Sequence, residues 1–216
     1  MKLYKYTYTG TSARQVMGRI VRRPGDVIYL PIKYFRREKF LPEEISLFTI
    51  QQLRNKGKNK TLLLIGGGDS CKNFDYKSIK YDDVMVVNIN KTNIKPDYLV
   101  YLEDAYVIYQ TTHPIDDKIV LIGNELVLCN RTDYFYSRKD VVEGHGCGFY
   151  ALQIADKIME YKKIILAGYD FYGDSRDWNK LIPDYALVKW GNVININPDS
   201  KINKYLKKEK TNVKNK

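Results

Sequence analysis

A series of short apolar runs, most of them ending in glycine, asparagine or an acid, constrains this chain more than any other feature. Thr61-Leu62-Leu63-Leu64-Ile65 runs into Gly66, and Val84-Met85-Val86-Val87 into Asn88. Tyr98-Leu99-Val100-Tyr101-Leu102 runs into Glu103-Asp104. Ile119-Val120-Leu121-Ile122, Leu126-Val127-Leu128, Ile164-Ile165-Leu166-Ala167 and Val193-Ile194-Asn195-Ile196 repeat the texture. A strand with one wet face alternates polar and apolar residues, whereas these runs leave no polar face, as in strands covered on both sides. Between them, Phe149, Leu152, Ala155, Ile158 and Met159 fall at helical spacing and predict a helix from Cys147 or Gly148 to Tyr161. Strands interleaved with helical sequence predict an α/β fold: a Rossmann-like, mostly parallel sheet with helices on both faces and right-handed crossovers.

The chain has 216 residues, enough for one medium domain with a small appendage. Residues 61–206 carry the α/β pattern, and residues 1–54 read differently. Leu3, Tyr4, Tyr6 and Tyr8 predict a short strand, and residues 12–17 a helical turn. Arg23-Pro24-Gly25-Asp26 is a turn signal, followed by the strand-like Val27-Ile28-Tyr29-Leu30. A small, basic, β-rich module is expected there. The polar stretch 55–60 reads as a linker, and residues 207–216, almost devoid of apolar side chains, as a basic tail.

The hydrophobic fraction of 44% is ordinary for a folded protein. No apolar run reaches the roughly 18 residues of a membrane span. Residues 1–8 lack the apolar run of a secretory signal, so a cytoplasmic location is expected, or a virion if the gene is viral. Cys71, Cys129 and Cys147 fit no zinc spacing and read as reduced thiols, with Cys147 beside His145 the minority candidate for a nucleophile. The net charge of +11 favours an anionic partner: a nucleotide, a nucleic acid, an anionic glycan or an acidic protein surface. Much of the excess lies near the two ends, where an AT-rich coding genome would also raise lysine content.

Five segments could carry chemistry. Gly66-Gly67-Gly68-Asp69-Ser70 follows the first buried run; its glycines permit a tight turn and close backbone approach to an anion, with Asp69 or Ser70 capping the next helix. The same sequence equally serves a plain strand–helix turn. It is neither G-x-G-x-x-G, since position 71 is cysteine, nor a Walker loop. Asn88-Ile89-Asn90 ends the second run, where Asn88 and Asn90 would face a ligand crevice or simply make a turn. Asp104, after Glu103, could hold a divalent metal or cap a helix. Gly144-His145-Gly146-Cys147-Gly148 opens the predicted helix, a second place for an anion, with His145 as acid, base or phosphate contact. Asp170 and Tyr172, in Ala167-Gly168-Tyr169-Asp170-Phe171-Tyr172-Gly173-Asp174, close the next strand. In a parallel sheet these turns gather at one edge. Asn195-Ile196-Asn197-Pro198-Asp199-Ser200 ends the last run, with Asp199 or Ser200 placed to cap a terminal helix.

Gly66-Gly67-Gly68-Asp69-Ser70 resembles the Gly-x-Gly-Pro-Ser turn of bacterial sialyltransferases of glycosyltransferase family 42 and of the related pterin-diphosphokinase-like (MptE-like) proteins. Pro96 to Asp104 is similar to a Pro-Asp…Asp strand of the latter. Ile-Ile-Leu-Ala-Gly-Tyr-Asp-Phe-Tyr, ending at Tyr172, is similar to the sialyltransferases' Gly-Ile-Asp-Phe-Tyr region, and Asn197-Pro198-Asp199-Ser200 to their Pro-Asn-Ser segment. The resemblance covers about residues 61–206. It implies a fold that binds a nucleotide, CMP-activated sialic acid in the transferases, contacted by Gly66, Gly67, Gly68, Asp69, Ser70, Asn88, Gly144 and Gly146; Asn90 and Tyr172 join them as nucleotide-binding candidates from their places after strands. His145, Asp104 and Asp170 are the candidates for catalysis, and Asp104 with Asp170 for a metal. Two departures stand out: Asp69 replaces the motif's proline, and residues 173–197, where the sialyltransferases carry their catalytic histidine in a lid, are short and contain no histidine.

Three functions stand as expectations. One is a minimal, nucleotide-sugar-dependent glycosyltransferase. Another is a non-catalytic viral or virion assembly protein of phage or mobile-element origin that keeps the fold. The third is nucleic-acid binding through the basic N-terminal arginines, with an MptE-like diphosphokinase as a further alternative.

Overall fold

The computed structural model describes residues 3–9, 14–16, 19–21, 27–30, 40–45, 48–72, 74–88, 92–102, 116–125, 132–171 and 178–206. Ahead of the first apolar run the chain is β-rich. β1 (Leu3–Tyr8) lies between β4 (Val27–Leu30) and β5 (Phe40–Ile45), antiparallel to both, and β2 (Arg14–Val16) pairs with β3 (Arg19–Val21). Within the helical turn expected over 12–17, Arg14–Val16 is instead a strand. With Val16 opposite Arg19, a hairpin supplies cross-strand bonds that an isolated turn of helix, costly to nucleate, cannot match.

The apolar runs form the main sheet. Its strands are β6 (Phe48–Thr49), β7 (Thr61–Ile65), β8 (Asp83–Val87), β9 (Tyr98–Tyr101), β10 (Val120–Asn124), β11 (Tyr134–Tyr136), β12 (Lys163–Ala167) and β13 (Val193–Asn195). The order is β13-β12-β7-β8-β9-β10-β11-β6, and every pairing is parallel. This is the Rossmann-like α/β sheet that the run pattern predicts. β6 and β11 are not among the runs, because one is two residues long and the other is Tyr-Phe-Tyr rather than aliphatic. Leu126-Val127-Leu128 lies outside the described residues.

Successive residues of each strand serve opposite faces. Leu62, Leu64, Met85, Val87, Val100 and Ile122 pack into one core with α1 (Cys147–Gln153), whose Phe149 and Leu152 point at the sheet as the helical spacing requires. Helix α1 passes into a π-helical turn, Ile154–Ile158, in which Met159 N–H donates to Ile154 O at 2.8 Å. Leu63, Ile65, Val84, Val86, Ile165 and Ala167 form the opposite core. Among the described residues that second face is covered by Cys71, Tyr76 and Ile79, on or beside the short 3-10 turns Asp69–Cys71 and Tyr76–Ser78, with Tyr81, Ile94 and Ile196. No helix among the described residues is long and apolar enough to cross a membrane.

The chain approaches β7 through a strap fastened to the end of that helix. Ile50 and Leu53 are buried in the larger core. Asn55 N–H donates to Ile158 O at 3.1 Å and Gly57 N–H to Met159 O at 2.7 Å. A Cβ at Gly57 would lie 2.4 Å from Cγ of the Tyr161 ring. Tyr161 OH donates to Asp83 Oδ2 at 2.7 Å, and burial together with that bond holds its phenol far above the ordinary tyrosine range. Gly57→Ala must push this ring and is expected to cost about 1–3 kcal/mol. Lys58→Ala, at an exposed neighbour, should stay within about 0.5 kcal/mol, both variants being compared with the wild type by urea unfolding.

Candidate functional site

From β7 the chain builds outward through β8, β9, β10 and β11, then returns to place β12 on the other side of β7 and β13 beyond it. The direction of winding reverses between β7 and β12. Above such a reversal the connections diverge and leave a crevice at the carboxyl ends of the strands. Here that crevice is a cleft of about 610 Å³.

Its floor is the contact between two glycine turns. Gly66 N–H donates to Ala167 O at 2.7 Å, and Gly68 N–H to Gly168 O at 2.9 Å. A Cβ at Gly66 would meet Gly168 O at 2.7 Å, and one at Gly168, whose φ is +70°, would meet Gly66 O at the same distance. These two glycines are required by the approach of one backbone to the other. Gly67 differs: a Cβ there would touch nothing within 4 Å, so this is the glycine that faces open cleft.

One carboxylate locks the floor. Asp170, only 7% exposed, accepts from Ser70 N–H at 3.0 Å and Asn197 Nδ2 at 3.1 Å, and also from the hydroxyl of Ser70. Ser70 Oγ in turn accepts from Gly168 N–H at 3.2 Å. The turns after β7, β12 and β13 thus share one anchor. Ser70 does not act as a helix cap; the glycines lead into a 3-10 turn with Gly68 at its N-cap. Ser200 takes the N-cap position of the 3-10 helix Lys201–Lys204, yet its hydroxyl donates to Tyr169 O at 2.6 Å rather than to that helix. Asp69 is exposed and paired with Lys72 Nζ at 2.7 Å, which offsets its negative charge beside the cleft.

The second glycine turn forms the opposite lip. Gly146, at φ +82°, is the N-cap of α1 and provides no side-chain cap. Gly144 is clamped by Tyr150, whose OH donates to Gly144 O at 2.6 Å. His145 is held by Asp184. The main-chain N–H of His145 donates to Asp184 Oδ2 at 2.5 Å, and ring Nδ1 lies 3.1 Å from the same oxygen. Asp184 is the last residue of α2 (Trp178–Asp184), a helix that the run pattern does not reveal. The available signal is an acid set between Leu181-Ile182 and Tyr185, that is, within an apolar stretch. Leu181 and Tyr185 also line the cleft, so the interval lacking a histidine lid still supplies a wall. Cys147 is buried with its thiol donating to Val100 O at 3.3 Å, which removes it as an exposed nucleophile.

Asn88 ends β8 at φ +57° and lines the same cleft. Its Oδ1 is buried without a hydrogen-bond partner among the described residues. A buried acceptor in that state is costly. The structure therefore brings Gly66, Gly67, Gly68, Asp69, Asn88, His145, Gly146 and Asp170 around one cavity, with Ser70 and Gly144 just behind it. Asn90, Asp104 and Tyr172 lie outside the described residues. Among the described residues no three His, Cys, Asp or Glu side chains come together as metal ligands, and the Asp170 carboxylate is already taken up by Ser70 and Asn197. Compared with known proteins, the chain matches no protein-family model, no curated protein and no solved structure.

The floor gives a direct stability test. Gly168→Ala combines a left-handed backbone with a backbone clash and should cost at least about 1–3 kcal/mol. Gly67→Ala should change stability by no more than about 0.5 kcal/mol in urea unfolding followed by tryptophan fluorescence. A second test uses alkali. Burial pushes the Tyr169 and Tyr185 phenols well above their ordinary value. Their burial stabilises the fold fully below the unfolded tyrosine pKa near about 10, and that contribution is lost as pH rises beyond it. Phenolate absorbance from this pair should therefore appear only together with loss of the folded circular-dichroism signal.

Proposed function

We propose that this chain is a nucleotide-dependent transferase, a minimal glycosyltransferase whose cleft takes a nucleotide sugar. One observation carries the reading: two glycine turns, an uncapped helix start and His145 converge on a single cleft at the switch point of a parallel sheet. Main-chain N–H groups at a helix start, with the positive end of its dipole, suit phosphate oxygens. Gly67 leaves that approach unblocked by side chains, since a Cβ there would meet nothing within 4 Å. Asn88 lines the same cleft, and its side-chain amide supplies a donor and an acceptor once it turns toward a base or a sugar hydroxyl.

In this reading His145 is the general base. The acceptor hydroxyl oxygen bonds to the sugar carbon that carries the phosphate. The bond from that carbon to the phosphate oxygen breaks, and its electron pair leaves with the nucleotide. The acceptor proton passes to Nε2 of His145, the ring nitrogen not engaged with Asp184. Asp170 touches none of the reacting atoms; it holds the glycine floor in place.

Calorimetry with CMP, CDP, UDP, ADP, GDP and CMP-sialic acid tests the reading, and binding of at least one is expected. Absence of binding to all of them overturns it. With the best-bound nucleotide, Asn88→Ala should weaken binding about 5- to 10-fold, the worth of one hydrogen bond. With the matching nucleotide sugar, His145→Gln should leave binding within about 3-fold while turnover, as transfer or hydrolysis, falls about 100- to 10,000-fold.

A further inference from the structure

A histidine ring that is 65% exposed has no packing of its own to select one orientation or one protonated nitrogen. We infer that Asp184 is a positioning residue that fixes His145 as the Nδ1–H tautomer and so leaves Nε2 as the bare nitrogen at the cleft. The inference rests on reading His145 as the base, and it adds the group that makes the ring competent.

Donors and acceptors at the pair leave one assignment. Asp184 Oδ2 accepts the main-chain N–H of His145, which can only donate. The same oxygen lies 3.1 Å from Nδ1. An ionised carboxylate only accepts, so the bond to the ring requires the proton on Nδ1. A neutral imidazole carries a single ring proton, which leaves Nε2 with a lone pair. Asp184 is itself fixed, with its side chain only 10% exposed. The neighbouring Ile182 and Tyr185 are buried in the larger core, and Gly144 fits so tightly that a Cβ there would come within 2.9 Å of Asp184 Oδ2. A rigid acid thus holds both the backbone and the ring of an exposed histidine. A carboxylate that orients an imidazole through Nδ1 is a general device for keeping the other nitrogen ready to take a proton.

The test reads the ring directly. The chain has two histidines, His113 and His145, so nitrogen NMR of the full-length, ligand-free protein labelled at histidine gives two ring systems, assigned with His113→Gln. At about pH 8.5, above the ordinary histidine range, His145 is expected with Nδ1 protonated and Nε2 bare. Asp184→Ala should move it to the Nε2–H form that histidine favours in water. The same variant should lower turnover about 10- to 1,000-fold with nucleotide affinity within about 3-fold, and add no further loss on top of His145→Gln. An Nε2-protonated ring in the wild-type protein overturns the inference, whether or not the variant folds. So does an unchanged tautomer in a folded Asp184→Ala. Failure of every nucleotide to bind overturns the proposed reaction but leaves the tautomer measurement standing, so the two failures are distinguishable.

Discussion

The carboxylate of Asp170 and the glycine contact beneath it are what the rest of the cleft depends on. Two parallel strands, β7 and β12, end side by side, and their following turns come close enough for Gly66 N–H to bond Ala167 O and Gly68 N–H to bond Gly168 O. Nothing larger than hydrogen fits at Gly66 or Gly168. Asp170 then gathers the main chain and hydroxyl of Ser70 and the amide of Asn197. A buried carboxylate is costly unless its oxygens are filled by donors, and here the donors come from two other strand ends. The cost of burying the charge is thereby offset only when β7, β12 and β13 are in register.

On that floor the second lip is built by long-range contacts. His145 and Asp184 are 39 residues apart and meet only because the end of α2 reaches the start of α1. Phe149, Phe171, Tyr185 and Trp190 pack ring to ring behind them, with centroids 5.4 to 5.9 Å apart. That aromatic group fixes where α2 sits, and so where the acid reaches the histidine. The cleft is thus open at Gly67 and stiff behind its histidine. The transfer reaction proposed for this cleft would need this division, because its ligand would have to approach the backbone while its base stays in place.

Much of this is legible from residue order. Unbroken apolar runs announce strands buried on both faces, and the spacing from Phe149 to Met159 announces the helix that covers one of them. Glycines and asparagines at the ends of runs mark where a cleft forms. The roles of individual residues are less legible. Asp170 reads in isolation as a metal ligand or a base, and three protein donors make it an anchor. Ser70 and Ser200 read as helix caps, and each hydroxyl is taken by a neighbouring turn. Asp184 gives little sign, because an acid between Ile182-Pro183 and Tyr185 has no local partner that would show what it holds.

The sequence by itself determined that this chain builds a parallel, doubly covered sheet with its glycine turns at one edge. Local hydrophobic period and turn chemistry act over a few residues and are written in order along the chain. Only the tertiary structure decided which of the residues at that edge remain open to a ligand. Hydrogen-bond partners 27 to 100 residues away absorb Asp170, Ser70, Ser200 and Cys147, and another brings Asp184 to His145. The capacity of a polar side chain is spent on whichever partner the fold places within about 3 Å, and spacing along the chain carries no record of that choice.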